Sequence, residues 1–111
     1  MSIQIASEGV VLVDLPGEAE LERELEKVSE FLLDRCDCDV VMDFSNVMSL
    51  NSHCLVMLLR IRRQLETTGH RLVLSSLVAT TWGDLSAMGL SGLFEITIDR
   101  FHALALVQAH P

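Results

Sequence analysis

Two short apolar runs, at residues 40–42 and 72–74, constrain the fold of this 111-residue chain more than any other feature. Both runs are bounded by polar residues, and neither shows the apolar and polar alternation that marks a half-buried strand. Uninterrupted apolar runs are typical of strands covered on both faces, as in parallel sheets. Parallel neighbours need a long crossover connection, which is usually a helix. The two runs therefore predict an α/β fold.

Apolar residues at helical spacing lie before and between these runs. Residues 18–34 carry apolar side chains three and four positions apart with glutamates between them, which predicts an amphipathic helix. A second helix is predicted to begin at Asn51 or Ser52 and to end at residues 67–69, where a glycine can stop it. The apolar positions are Leu21, Leu25, Val28 and Leu32 in the first helix and Leu55, Leu58, Leu59, Ile61 and Leu65 in the second.

The rest of the chain continues the alternation of strands and helices. The further predicted elements are an opening hairpin at residues 3–13, a helix at 79–88 stopped by Gly89, a strand at 94–98 and a closing helix at 101–107. This order implies a mixed or parallel sheet with right-handed crossovers. No repeat or linker divides the sequence, so we expect one domain over residues 1–111. Trp82 is expected to pack against the sheet, either in the core or half-buried.

Charge and hydropathy exclude two classes of partner. The chain has 16 acidic and 8 basic residues and a net charge of −8, and its acids are concentrated in residues 1–51. Nucleic-acid binding is not expected, because it needs a basic face. The longest apolar run, residues 54–59, is far shorter than the roughly 20 residues of a membrane span. The first residues lack the features of a secretory signal, so we expect a cytoplasmic protein with no membrane insertion.

The sequence offers little for a metal or a cofactor. Cys36, Cys38 and Cys54 are odd in number, which fits a reduced compartment. The Cys-x-Cys pair has no second pair and no histidines at ligand spacing, so no structural metal is expected. Glycine-rich phosphate-binding motifs are absent, and no cofactor is predicted. A phosphorelay receiver is disfavoured, because the single lysine, Lys27, falls in the middle of a predicted helix.

The segment at residues 51–54 is the main candidate for function. Asn51 or Ser52 can cap the second helix, because both side chains accept backbone N–H bonds. Adjacent helix residues point about 100° apart, so Ser52 and His53 are not expected to form a nucleophile and base pair. A phosphate on Ser52 would be stabilised by the free N–H groups of the helix start. These residues alone are compatible with three roles for the segment, namely helix capping, catalysis and a phosphorylation switch.

Three segments, at residues 40–47, 50–59 and 88–96, resemble the signature regions of STAS domains, the anti-sigma factor antagonists. The resemblance covers nearly the whole chain. Its more specific parts are the strand exit Asp-Phe-Ser-Asn-Val at residues 43–47 and the Gly-Leu-x-x-Leu-Phe segment at residues 89–94. The fold it implies is a small mixed sheet of four to five strands with helices packed mainly on one face.

The resemblance also implies a modification site. In the family, the loop before the second helix reads Asp-Ser-Ser-Gly-Leu or Asp-Ser-Thr-Gly-Leu, and the serine after the aspartate is phosphorylated. Ser52 stands at that position. The chain differs on both sides of it, with Asn51 in place of the aspartate, His53 in place of a small hydroxyl residue and Cys54 in place of the glycine. Asn51 keeps the capping ability and loses the charge.

The function implied by this resemblance is partner switching in bacterial transcription regulation, without catalysis. The unmodified chain would bind an anti-sigma factor that is also a serine kinase, and phosphorylation would block the contact. A phosphoserine phosphatase would be a second partner. The contact surface is predicted at the start of the second helix, with core packing an equal alternative for Leu50. Its predicted residues are Met48, Leu50, Asn51, Ser52 and His53.

Two other interpretations remain open. The chain could be a STAS subunit that docks permanently to a transporter or a multiprotein scaffold, with Ser52 acting only as a cap. It could also be a small enzyme or redox protein that uses Ser52, His53 or Cys54. A reactive Cys54 thiol would then titrate well below the ordinary value of about 8.5.

Overall fold

The computed structural model describes residues 3–35 and 37–108 and consists of a central sheet with four helices in that part of the chain. The strands are β1 (Ile3–Ser7), β2 (Val10–Asp14), β3 (Asp39–Asp43), β4 (Leu72–Ser75) and β5 (Glu95–Thr97), and the helices are α1 (Glu18–Asp34), α2 (Ser52–Glu66), α3 (Ala79–Ala87) and α4 (Arg100–Gln108). The sheet order is β1-β2-β3-β4-β5. β1 runs antiparallel to β2, and the other neighbours are parallel. The predicted α/β fold with a small mixed sheet is confirmed.

The two faces of the sheet are covered unequally. Side chains alternate between the faces along a strand, so Val40 and Met42 of β3 join the core beneath α1, α2 and α3. Val41 points to the other face, where it packs with Ala103 and Val107 of α4. Residues 40–42 in the middle of β3 are therefore all apolar, because this part of the strand is buried on both sides. Helices pack mainly on one face, as predicted.

Most predicted boundaries agree with the structure to within a residue. α1 covers residues 18–34, and α2 begins at Ser52. Gly69 and Gly89 follow α2 and α3 with φ of +77° and +71°, a left-handed conformation that glycine adopts without strain. The last strand is shorter than predicted, because β5 pairs with β4 only over residues 95–97. Ile98 lies beyond this pairing and is 78% exposed.

The structure also bears on the predictions for Trp82, for a metal site and for a membrane span. Trp82 is exposed, at 42%, contrary to the prediction, and it lines a groove with Leu77 and Ile96. Cys36 lies outside the described residues, so the predicted absence of a Cys36 and Cys38 metal site stays a prediction. Within the described ranges, no group of three or more metal-ligating side chains comes together. No helix there has the length and apolar character needed to cross a bilayer.

Candidate functional site

The candidate site is the loop from β3 to α2, at residues 44–51, together with the first turn of α2. Three buried apolar side chains fix the path of this loop at three-residue spacing, namely Phe44, Val47 and Leu50. The N–H of Val47 donates to the carbonyl of Phe44 at 2.9 Å, which forms a turn between the first two anchors. Met48 and Ser49 lie between the last two anchors and are exposed. The loop therefore presents its polar residues and one methionine to solvent.

Asn51 is the cap of α2, and both the oxygen and the nitrogen of its side-chain amide form hydrogen bonds. Its Oδ1 accepts a hydrogen bond from the backbone N–H of Cys54 at 2.9 Å, which is the standard capping contact. Its Nδ2 donates to Glu22 Oε1 of α1 at 2.9 Å. An aspartate could make the first contact but has no donor for the second. This pair gives a physical reason for asparagine at this position.

Ser52 is the first residue of α2, and its side chain is exposed. His53 is exposed as well. Within the described residues, the Ser52 hydroxyl forms no hydrogen bond to the His53 ring or to another side chain. The two residues are therefore not arranged as a nucleophile and its base. The hydroxyl remains open to a partner that approaches from solvent.

Cys54 is the third residue of α2, and its side chain points into the core at 2% exposure. Burial raises the pKa of the Cys54 thiol, and the nearby carboxylates of Glu22 and Glu18 raise it further. The thiol is therefore protonated at neutral pH and is a weak nucleophile. A raised pKa is the opposite of the lowered value that the redox interpretation predicted for a reactive Cys54.

Helix α1 holds the exposed part of the loop through a single carboxylate. Glu18 Oε1 accepts hydrogen bonds from the backbone N–H of Met48 at 2.6 Å and of Ser49 at 2.9 Å. The N–H groups of Glu18 itself, Met48 and Ser49 lower the pKa of the Glu18 carboxyl below its ordinary value. The carboxylate is therefore ionised at neutral pH, and its hydrogen bonds are charge-assisted.

Helix α3 holds the same loop from the other side. Asp84 Oδ2 accepts a hydrogen bond from the backbone N–H of Leu50 at 2.8 Å. The hydroxyl of Thr81 donates to the carbonyl of Val47 at 2.9 Å, and the hydroxyl of Thr80 donates to the carbonyl of Met48. Sequence reasoning did not find these contacts, because the bonded residues lie 32 to 34 positions apart.

The predicted contact residues do not all lie on the surface. Met48 is 52% exposed, and Asn51, Ser52 and His53 are exposed. Leu50 is 7% exposed and belongs to the main core. The core-packing alternative for Leu50 is therefore the one that the structure supports, and its side chain is not available to a partner.

A second polar cluster lies at the start of the loop and anchors it to α4. Arg100 Nε donates to Asp43 Oδ2 at 2.8 Å, and Arg100 Nη2 donates to Asp14. The other oxygen of Asp43 accepts from the N–H of Ser45 at 2.8 Å. Burial alone would raise the pKa of Asp43, but the hydrogen bonds from Ser45 and the Arg100 guanidinium outweigh it and lower that pKa. Asp14 and Asp43, at the ends of β2 and β3, therefore both form ion pairs with Arg100.

Comparison with known proteins identifies the fold. No protein-family profile matches the sequence, and no curated protein is similar to it in sequence. Solved structures do match, among them an anti-sigma factor antagonist from Thermotoga maritima (TM-score 0.81, 18% identity, 96% of this chain and 92% of that one). A sulfate transporter family protein from Wolinella succinogenes has a TM-score of 0.79, 16% identity, and coverage of 96% and 90%.

One similar structure is that of a modified protein. The Bacillus cell fate determinant SpoIIAA in its phosphorylated form matches with a TM-score of 0.69 and 15% identity, over 94% of this chain and 96% of that one. Identities at this level show a common fold and nothing more. The chain therefore has the fold of STAS domains, as its sequence resemblance implied.

Proposed function

We propose that this chain is an anti-sigma factor antagonist in a bacterial partner-switching system. The unmodified chain binds an anti-sigma factor that is also a serine kinase, in the cytoplasm. Phosphorylation of Ser52 by that kinase ends the contact, and a phosphoserine phosphatase restores it. The protein itself performs no catalysis in this proposal.

The observation that carries this proposal is the exposure of the Ser52 hydroxyl at the first residue of α2, on a STAS fold. A kinase needs an accessible hydroxyl, and a partner surface needs some exposed apolar area. Met48, at 52% exposure, and Val56, at 53%, supply such area on either side of Ser52. Val56 lies one helical turn after Ser52 on the same face of α2, so we include it in the proposed contact surface.

The proposed switch has a direct physical basis. The Ser52 oxygen forms a bond to the γ-phosphorus of ATP while the bond to ADP breaks, and the hydroxyl proton passes to a base of the kinase. The product carries about two more negative charges. The start of α2 favours such an anion by about 0.3–1 kcal/mol, but a dianion beside other anions in a desolvated contact costs several kcal/mol. The unfavourable contribution is larger, so the modified chain leaves its partner.

The test is phosphorylation by the serine-kinase anti-sigma factors encoded in the same genome, with ATP, read by intact mass and by mapping of the modified residue. We expect one added phosphate on Ser52 and none in the Ser52→Ala variant. Ser49→Ala is the matched control, because Ser49 is exposed in the same loop and its backbone contact to Glu18 does not need its hydroxyl. Absence of phosphate from Ser52 with every kinase would refute the proposal.

A second candidate function is constitutive docking to a transporter or a multiprotein scaffold. The structural similarity to the Wolinella succinogenes sulfate transporter family protein favours it. Substitution of Ser52 separates the two functions. A switch predicts that Ser52→Asp abolishes partner binding and Ser52→Ala preserves it. The cap of α2 is Asn51 and not Ser52, so constitutive docking leaves Ser52 only a packing role against the partner. It predicts that the two variants weaken binding equally.

A further inference from the structure

The β3 to α2 loop is held in place by side chains from two other helices. The register of β3 with its neighbouring strands ends at residue 43, and side chains then accept hydrogen bonds from several of the backbone N–H groups that follow. Glu18 of α1 binds the N–H groups of Met48 and Ser49, and Asp84 of α3 binds the N–H of Leu50. The conformation of this loop therefore depends on contacts from outside it.

We infer that Glu18 is a positioning residue for the Ser52 surface. One exposed carboxylate oxygen accepts two successive N–H groups, at 2.6 Å and 2.9 Å, on the only part of the loop where an apolar side chain reaches solvent. Hydrogen bonds to an ionised acceptor are about twice as strong as neutral ones. Glu18 thereby holds the backbone of Met48 in one conformation.

Helix α1 binds the loop through two glutamates that lie one helical turn apart. Glu18 binds residues 48 and 49, and Glu22, four positions later on the same face, binds the cap residue Asn51. The exposed methionine and the start of α2 are thus fixed relative to the same helix. A surface that is already ordered before binding loses less conformational entropy when a partner docks. Glu18 accordingly contributes to binding without needing to touch the partner.

This inference rests on the proposed function for its biological meaning, but the loop itself can be tested without a partner. The experiment is amide hydrogen exchange on the full chain carrying Glu18→Ala. We expect the Met48 and Ser49 amides to exchange at least about tenfold faster than in the unmodified chain, while core amides of β3 are unchanged. Glu18→Gln keeps an acceptor oxygen without the charge and should restore part of the protection.

Glu20→Ala is the matched control. Glu20 lies in the same first turn of α1, carries the same charge, is exposed and makes no hydrogen bond to the loop. In Glu20→Ala, we expect the Met48 and Ser49 amides to exchange at rates within about twofold of those in the chain without a substitution. Equal acceleration in both variants, or none in Glu18→Ala, would overturn the inference.

A kinetic measurement connects the loop to the proposed function. With a kinase that modifies Ser52, Glu18→Ala should raise the KM for this chain about fivefold or more and leave kcat unchanged, because the loss is in preorganisation. An unchanged KM alongside fast exchange would overturn the positioning role and leave the phosphorylation switch intact. If no kinase modifies Ser52, the proposed function fails, and the exchange result still decides whether Glu18 holds the loop.

Discussion

The two ends of helix α2 are built in different ways. At its end, the hydroxyls of Thr67 and Thr68 donate to carbonyls three residues earlier, and Gly69 adopts a positive φ. At its start, the loop is held by Glu18, Glu22 and Asp84 through bonds that span 29 to 34 residues. The end is a local turn, whereas the start is assembled by the whole fold. A partner surface at the start is therefore ordered only when the domain is folded.

The largest effect is expected from loss of a buried anchor at the start of α2. Leu50→Ala should reduce the free energy of unfolding by about 2–5 kcal/mol, because it leaves a cavity in the main core. Met48→Ala, two residues earlier, removes an exposed side chain and should cost less than about 0.5 kcal/mol. Urea unfolding of both variants checks this contrast, and similar losses in the two would contradict it.

The ion pair that anchors the loop to α4 should have the next largest effect. Arg100→Gln leaves Asp43 without its cationic partner and should cost about 1–3 kcal/mol at neutral pH. The lowered pKa of Asp43 means that it stabilises the fold above the ordinary carboxyl value near 3.8 and loses this contribution as pH falls through the folded value.

The pH dependence of unfolding therefore distinguishes the Arg100 variant from the unmodified chain. In Arg100→Gln the folded pKa of Asp43 rises towards or above its unfolded value, so less stability is lost on acidification. Urea unfolding from pH 7 to pH 3 should show the two stabilities converging at low pH. A difference that is constant over this range would show that the ion pair does not contribute through its charge.

The turn at the end of α2 should be less sensitive. Gly69→Ala forces a side chain into a left-handed conformation at φ of +77° and should cost about 1 kcal/mol. Gly83→Ala lies inside α3, where its φ is ordinary and space is open, so it should be stabilising by about 0.5–1 kcal/mol. Thermal unfolding checks the opposite signs, and a common sign would contradict the local description of the turn.

The smallest effect concerns the cap of α2. Asn51→Asp keeps the capping oxygen but sets a carboxylate against Glu22, and it should cost about 0.5–1 kcal/mol at neutral pH. Adding Glu22→Gln supplies a donor for the new aspartate and should recover the loss. A double-mutant cycle measures this coupling, and additive effects would show that the two side chains act independently.

The same contrast between local and distant contacts explains what the sequence could predict. The hydrophobic spacing of α1 and the glycine after α2 are local signals, and they place these elements to within a residue. Asn51 was identified as one of two candidate caps, because capping is also local. The fold class followed from strand runs and from the resemblance to STAS domains.

Other features required the folded chain. Glu18 is an acid in the first turn of α1, and its bonds to Met48 and Ser49 have no local signature in the sequence. Arg100 and Asp43 lie 57 residues apart. The burial of Leu50 could not be settled either, since an apolar residue in a loop fits both the core and a contact surface.

The most direct test of the proposed switch compares two forms of this chain, one unmodified and one fully phosphorylated at Ser52. Calorimetric titration of each against the anti-sigma factor gives the two dissociation constants. We predict at least a hundredfold weaker binding by the phosphorylated form, equivalent to about 2.7 kcal/mol. Equal dissociation constants would contradict the switch and leave Ser52 as an exposed residue beside the cap of α2.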